Sequence, residues 1–365
     1  MSRASAPDAP RSAAGMRVTE ASLDAWLSAV KACPYATYFH TPYWYDIMAP
    51  GQNHTAINVQ FDDGASALIP IAKIRRMGGL LTDHFSSPSC NYGGWISASM
   101  LTQEHVDRLA VVLVSKKNLT FRVNPFDPSS SYISKAKFAN NPLIGKSEIS
   151  FTDDFTHTLD LTKGEHSIMQ GLSGGHRRGI KNALREGVSV KAAQSRDEWD
   201  RYYGLYQKSL ERWRAGGPEL KTKTVYPRSL FGRIYENRTG NETLWLAVKD
   251  GRPVSGALFF YWNRHAVYWH GASDARYFNL RPNNLLFWEA IADAARRGYK
   301  VLDFNPSGGY SGVELFKERF GAERVYAPIL STKTPLRSII ARLRGRAPWP
   351  SGRIGARLRG SGCSF

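Results

Sequence analysis

The chain has 365 residues, 42% hydrophobic and 12% aromatic, which excludes a disordered protein and leaves room for two folded domains. A formal net charge of +18 points to phosphates, nucleic acid or anionic lipid as partners. Cys33, Cys90 and Cys363 are too few and too scattered for a disulfide framework or a zinc site, and no apolar stretch reaches membrane-spanning length.

Residues 1–15, with small residues and prolines but no apolar core, read as a disordered N-terminus and not as a signal peptide. A strand follows, then a helix capped by Ser22 with Trp26 facing inward, and a second helix opened by Thr41-Pro42. Strands are expected near 54–61, 65–74 and 85–96, and a helix over 103–117. LTFRVNPF then forms an apolar strand ending in Asn124-Pro125. FTHTLDL reads as a strand between the halves, with Thr162 and Glu165 as a capping box for helices that carry Arg177, Arg178, Lys181 and Arg185.

The second half repeats this order. VSVKAA is a short strand, and Ser195 with Glu198 is a capping box opening a helix to about Arg214. Pro227 starts a second helix. ETLWLAVK, RPVSGALFFYW and HAVYWHGAS are strands joined by tight Asp250-Gly251 and Asn263-Arg264 turns. Pro282 opens a helix that stops at Gly298; KVLDF, a short helix over 312–320 and RVYAPIL complete the half. The two halves match from Ser22 to Asn124 and from Ser195 to Asn305, so the chain reads as a duplicated fold. The expected fold class is α/β with mixed sheets, in two lobes. The boundaries are 16–161 for the first lobe, 162–186 for a basic helical connector and 187–330 for the second lobe. Residues 331–365 form a basic tail.

Five segments carry a family resemblance: FHTPYWYDI, SPSCNYGG, SGGHRRGIKNALREGVSV, LRPNNLLFW and DFNPSGGYSGVELFKERFGAE. They span residues 16–330 and resemble the FemAB/FemX-like family, which pairs two lobes of the GNAT acyltransferase fold. The FK-x-x-FGA element is the most specific of them. The resemblance implies transfer of an acyl or aminoacyl group to an amine, as family members do from aminoacyl-tRNA to a peptidoglycan-precursor peptide. LRPNNL stands where ordinary acetyl-CoA enzymes carry a glycine-rich phosphate loop. The donor is therefore left open among aminoacyl-tRNA, acyl-CoA and acyl-carrier protein, as a co-substrate and not as a resident cofactor. The expected acceptor is a cell-envelope precursor. An acyl-CoA N-acyltransferase acting on a small amine is the second reading, and a non-catalytic RNA- or membrane-binding protein the third.

Acyl transfer to an amine needs two aligned reactants, a proton acceptor and a counter-charge for the oxyanion. In a GNAT-like sheet the donor lies between two splayed parallel strands, here HAVYWHGAS and KVLDF, with backbone N–H groups at the LRPNNL helix start, around Asn283 and Asn284, facing a phosphate. Lys317, the lysine of the FK element, is the first functional candidate, against a plain helix-surface lysine. Asp303 ends a buried strand as a proton acceptor or, slightly favoured, a structural acceptor. His270 reads more readily as a packed core histidine than as a base, and Tyr310 is the third base candidate. Asn305 and Ser307 lie on the loop a substrate would meet. Arg177, Arg178 and Lys181 suit a phosphate; Tyr92, Gly93 and Gly94 suit either a ligand's approach or a strand bulge. No metal-ligand spacing or Ser-His-Asp order occurs. From residue 331 on there are eight Lys or Arg and no Asp or Glu. Leu336, Ile339, Ile340 and Leu343 share one face after Thr334-Pro335, which fits docking on the protein or, as the surplus arginines favour, contact with anionic membrane. A cytoplasmic protein is expected, peripheral at the inner membrane face.

Overall fold

The computed structural model describes residues 15–51, 53–76, 81–89, 91–144, 149–215 and 225–332. The expected N-terminal disorder of residues 1–14 and the amphipathic tail from 333 onward lie outside the described residues.

Strand β1 (Met16–Glu20) leads into α1 (Leu23–Ala32), where Ser22 Oγ accepts the Ala25 N–H at 3.2 Å. Helix α2 (Pro42–Met48) starts on the Thr41 side chain, with Pro42 supplying a preset φ in the first turn. There follow β2 (His54–Phe61), β3 (Ser66–Arg76), β4 (Leu81–Phe85), α3 (Gln103–Ser115), β5 (Leu119–Arg122), α4 (Lys135–Ala139) and β6 (Ile149–Thr152). Strand β7 (Phe155–Asp160) and helices α5 (Gly164–Gly171) and α6 (Gly174–Arg185) make the passage between halves. The second half runs β8 (Ser189–Ala192), α7 (Arg196–Ala215), α8 (Arg228–Glu236), β9 (Glu242–Lys249), β10 (Arg252–Trp262) and β11 (His265–Ser273). It continues through α9 (Pro282–Arg296), β12 (Val301–Asp303), α10 (Ser311–Glu318), β13 (Glu323–Tyr326) and β14 (Ile329–Thr332). The capping box expected at α7 is formed, with Glu198 N–H on Ser195 Oγ at 3.3 Å and Ser195 N–H on Glu198 Oε2 at 3.0 Å.

Two seven-stranded mixed sheets result, ordered β1-β2-β3-β4-β5-β14-β6 and β8-β9-β10-β11-β12-β7-β13. Each contains one adjacent parallel pair, β4 with β5 and β11 with β12. The duplication expected from the repeated motifs is therefore present strand for strand.

The boundaries drawn from the sequence are corrected by an exchange of strands. β7, assigned to the first lobe at 16–161, lies in the second sheet between β12 and β13, antiparallel to both. β14, at the end of the expected second lobe, lies in the first sheet between β5 and β6, antiparallel to both. RVYAPIL is accordingly not one strand. It turns at Ala327-Pro328, where proline cannot donate to a ladder, and its two ends serve different sheets. The basic connector of 162–186 is part of the second lobe too, since α6 packs on α9: a Cβ on Gly179 would lie 2.9 Å from Asn284 Cγ.

Two local expectations also change. The strand expected over 85–96 stops at Phe85, and beyond it, among the described residues, only the Leu68–Ile96 bridge is strand-like, because the segment carries Pro88, Gly93 and Gly94 and Ser89 and Tyr92 turn to the second lobe. Thr162 and Glu165 form no capping box: Asp160 Oδ1 takes the Thr162 N–H at 2.9 Å and caps a short 3₁₀ turn over Leu161–Lys163 instead.

The largest core belongs to both lobes. Trp26, Phe39, Trp44 and Tyr45 of the first pack in one cluster with Trp199, Tyr202, Tyr206, Phe231, Phe260 and Trp269 of the second. Trp44 meets Phe260 and Trp269 edge-on at centroid distances of 5.2 and 5.3 Å. At ~1.5–3 kcal/mol per fully buried large apolar side chain, this seam is a principal hold on the relative position of the sheets.

Candidate active site

The parallel pairing of β11 and β12 runs only from His265↔Val301 to Val267↔Asp303. β12 ends there while β11 continues to Ser273, so a gap opens at the carboxyl end of the pair, the place where open α/β sheets receive ligands. A bulge assists: Leu258 pairs with His270 and Phe259 with Tyr268, leaving Trp269 as the extra residue.

Asp303, the last residue of β12, is fully buried. Its Oδ2 accepts the Tyr92 hydroxyl from the first lobe. Its Oδ1 accepts the Thr156 hydroxyl from β7 and the Asn305 N–H at 2.9 Å. Burial pushes the carboxyl above its usual range, opposed by these three donors and by the charge of Lys317. Both oxygens of Asp303 are thus engaged by donors from within the protein, the arrangement that the structural-acceptor expectation describes.

Asn305 has φ +60°, a left-handed conformation, and directly precedes Pro306. Sterics disfavour that backbone for a residue before proline, so it is held by its surroundings. The Asp303 carboxylate binds its N–H, and its Nδ2 donates to the Tyr268 carbonyl at 2.6 Å. The Asn305 carbonyl then accepts Lys317 Nζ at 2.5 Å, and Ser307 Oγ accepts the same Nζ at 2.8 Å. Lys317 lies on α10 yet is fully buried, so the surface-lysine alternative is excluded. Lys317 is thus a buried amine confined among oxygen acceptors at the end of the parallel strands.

The remaining candidates separate by environment. His270 is buried in a cage of Tyr202, Tyr206, Tyr226, Phe231 and Trp269. Its Nδ1 meets the Tyr202 hydroxyl at 2.5 Å, while its Nε2 has no hydrogen-bond partner. Burial lowers its pKa to about 3, far below what a general base at neutral pH needs. Tyr310 precedes α10 and is half-buried, and its carbonyl accepts the Glu314 N–H at 3.1 Å. Asn283 Oδ1 accepts the hydroxyls of Ser255 and, at 2.9 Å, Ser273; Asn284 packs on Gly179. Both asparagines thus shape the start of α9 from inside. Arg177 closes the end of α5 by donating to the Gln170 carbonyl at 2.7 Å and to that of Leu172, whereas Arg178 and Lys181 are exposed on α6.

The Tyr92-Gly93-Gly94 element pins its own loop. A Cβ on Gly93 would collide with the Ser86 carbonyl, and Gly94 holds φ +95° against Asn124. The loop reaches the second lobe at both sides of the gap. Tyr92 bonds Asp303 on β12, and Ser89 Oγ accepts the Trp269 indole N–H of β11 at 3.3 Å and pairs with the Tyr226 hydroxyl at 3.0 Å.

Sequence reasoning missed Thr156 and Tyr268. Thr156 had a signal, a hydroxyl in the alternating FTHTLDL strand, but not one that named its partner sheet. Tyr268 contributes only its carbonyl, which no side-chain pattern reveals. Beside Lys317, His157 of β7 is also buried, with Glu318 Oε1 3.7 Å from Nε2; burial, then the charge of Lys317, lower its pKa.

Residues 174–318 match the family model described as Acetyltransferase (GNAT) domain. No curated protein sequence matches the chain. Among solved structures, FemX aligns with a TM-score of 0.63 at 14% identity, covering 90% of this chain and 100% of that one. The structure of L-PGS from Bacillus licheniformis gives 0.53 at 13%, covering 89% and 96%. The C-terminal domain of a putative lysylphosphatidylglycerol synthetase from Agrobacterium fabrum gives 0.51 at 12%, covering 88% and 94%. The chain therefore has the tandem GNAT fold that its motifs suggested, and its second half is similar to the GNAT acetyltransferase domain model.

Proposed function

We propose that this GNAT-fold acyltransferase forms an amide by moving an acyl or aminoacyl group onto the amine of a cell-envelope precursor, with the reaction at the carboxyl ends of β11 and β12. The observation that carries this reading is the buried Lys317, held at 2.5 and 2.8 Å by Asn305 O and Ser307 Oγ beside the Asp303 carboxylate. The acceptor amine attacks the donor carbonyl carbon, the carbonyl electron pair moves to oxygen, and Lys317 faces the resulting negative charge. Collapse of the tetrahedral intermediate expels the donor's leaving oxygen or sulfur, and the amine's proton goes to solvent or to that leaving atom. A desolvated fixed cation is worth more there than in water, since nothing need reorganise as charge develops.

The likeness in fold to FemX and to a lysylphosphatidylglycerol synthetase domain supports an aminoacyl donor and an envelope or lipid-linked acceptor. Asn283 and Asn284, engaged inside the protein at the start of α9, support a donor other than an ordinary coenzyme A thioester. Arg178 and Lys181 suit a phosphate-bearing substrate. In the test, purified protein is incubated with aminoacyl-tRNA, acyl-CoA or acyl-carrier protein, and with nucleotide-linked peptide or aminolipid precursors, and amide products are read by mass spectrometry. Transfer from aminoacyl-tRNA that is lost in Lys317→Met is expected. Transfer from none of the donors, or transfer indifferent to Lys317, overturns the reading.

A further inference from the structure

The strained turn at Asn305 is held by a group that comes from the other lobe. Tyr92 donates its hydroxyl to Asp303 Oδ2; Asp303 Oδ1 accepts the Asn305 N–H at 2.9 Å; the Asn305 carbonyl accepts Lys317 Nζ at 2.5 Å. All four residues are essentially inaccessible to solvent. From these contacts we infer that Tyr92 is a positioning residue for Lys317: through one carboxylate, the first lobe sets the backbone conformation that aims the second lobe's lysine.

Each link has a physical reason. A left-handed residue before proline relaxes to an extended conformation unless its N–H and carbonyl are both held. Such a relaxation turns the 305–306 peptide and withdraws the carbonyl from Lys317 Nζ. The Asp303 carboxylate prevents it, but only while its own oxygens stay aligned. Tyr92 fixes Oδ2 and Thr156 fixes Oδ1, so the carboxylate has no free rotation about its last torsion. Tyr92 is itself fixed at both ends: its ring packs edge-on against Phe126 at 5.3 Å, and its backbone lies in the loop closed by Ser86 and Gly93. His40 secures that loop from the first lobe. Its Nδ1 accepts the Thr37 N–H at 3.0 Å, so its Nε2 carries the proton and donates to the Gly93 carbonyl at 2.8 Å. The first lobe is then a working part of the site and not an inert copy.

The inference rests on the reading of Lys317 as the functional lysine, and its test needs no substrate. Lysine-selective 15N NMR of the full chain at low temperature reads the Lys317 side-chain nitrogen, assigned by its loss in Lys317→Arg. Wild type is expected to show one slowly exchanging signal at this site. Tyr92→Phe, which removes only the hydroxyl, should shift that signal and speed its hydrogen exchange by about tenfold or more, while Tyr235→Phe on α8 leaves it unchanged. Should Tyr92→Phe fail to accumulate as folded protein, Thr156→Val removes the other hydroxyl from the same carboxylate and gives the same readout. A Lys317 signal identical in wild type and Tyr92→Phe, or no protected signal in wild type, overturns the inference. On an identified reaction, Tyr92→Phe should lower kcat with the donor KM unchanged. Activity that survives Lys317→Met would defeat the proposed function, while an unmoved NMR signal would defeat only the positioning role.

Discussion

The two lobes share a backbone plan and diverge at the same three places. Where β12 ends in Asp303, β5 ends in Arg122, whose guanidinium pairs with Asp154 at 2.6 Å. Each strand leads to an Asn-Pro, yet only Asn305 has the left-handed φ; Asn124 donates to the Tyr35 carbonyl at 3.0 Å and its Oδ1 takes the Phe126 N–H at 3.1 Å. After Asn305 comes α10 with its buried lysine, and after Asn124 comes the short α4 with Lys137 exposed. One backbone plan thus occurs twice, and among the described residues the buried carboxylate, the left-handed asparagine and the buried lysine stand together only in the second copy.

The sharpest way to break this comparison is to remove the lysine from each copy. Lys317→Met should lower turnover by about 10²–10³-fold, the scale of losing one oxyanion-stabilising group. Lys137→Ala should leave turnover within about twofold, as expected for an exposed side chain away from the site. Equal losses would mean that both lobes are catalytic.

Next in size is the exchange of strands. Leu330→Pro places a proline in the middle of β14, which is bonded on both sides, and should cost about 3 kcal/mol or more. Because β14 starts in the second lobe's chain and completes the first lobe's sheet, thermal unfolding should remain one transition at lower temperature. Separate melting of two lobes would show the exchange to be dispensable.

The boundary between lobes should also respond to acid. Burial holds His40 at about 4 and His265 at about 3, both below the ordinary histidine value near 6.5. On acidification the unfolded chain therefore takes up protons first, so stability falls as pH drops below about 6.5 and goes on falling to about 4 for His40 and about 3 for His265. Each such histidine contributes a slope of up to ~1.4 kcal/mol per pH unit in that window. Urea midpoints measured from pH 7.5 to 5 should show the decline, and His265→Gln should reduce its slope. A flat profile would mean that the interface histidines are hydrated.

The smallest effect concerns the exposed basic residues of α6. Arg178→Glu with Lys181→Glu should weaken binding of a phosphate-bearing substrate several-fold, and wild-type binding should decline with salt. Salt-independent binding, unaltered in the double variant, would leave these residues as plain surface.

Much of this was legible in the sequence, for reasons particular residues make plain. Ser22, Ser195, Pro42, Asn124-Pro125 and Asn305-Pro306 are local signals, since caps, first turns and strand exits are decided within a few residues. The FK element placed Lys317 by resemblance. What no local signal could supply was partnership at long range. FTHTLDL alternates as any half-buried strand does and does not state which sheet receives it. Tyr92 read as a residue for substrate because its hydroxyl's acceptor lies in the other half of the chain. Likewise Lys317, singled out by the FK element, gave no sign in the sequence that the carbonyl of Asn305 and the hydroxyl of Ser307 would enclose it.

The position of β14 bears on how the protein is made. Ile329 pairs with Arg122 and with Thr152, so the first sheet lacks an interior strand until nearly the whole of the described chain has left the ribosome. During synthesis β5 and β6 would present unpaired edges with a strand-wide gap between them, and such edges invite pairing with other chains. β7 meets the same delay in reverse, emerging before β12 and β13, the two strands it must join. N-terminal domains ordinarily fold first as they emerge; here the early lobe has to wait for the late one. Expression yield should therefore depend on translation speed and on chaperone supply more than the stability of the finished protein would suggest.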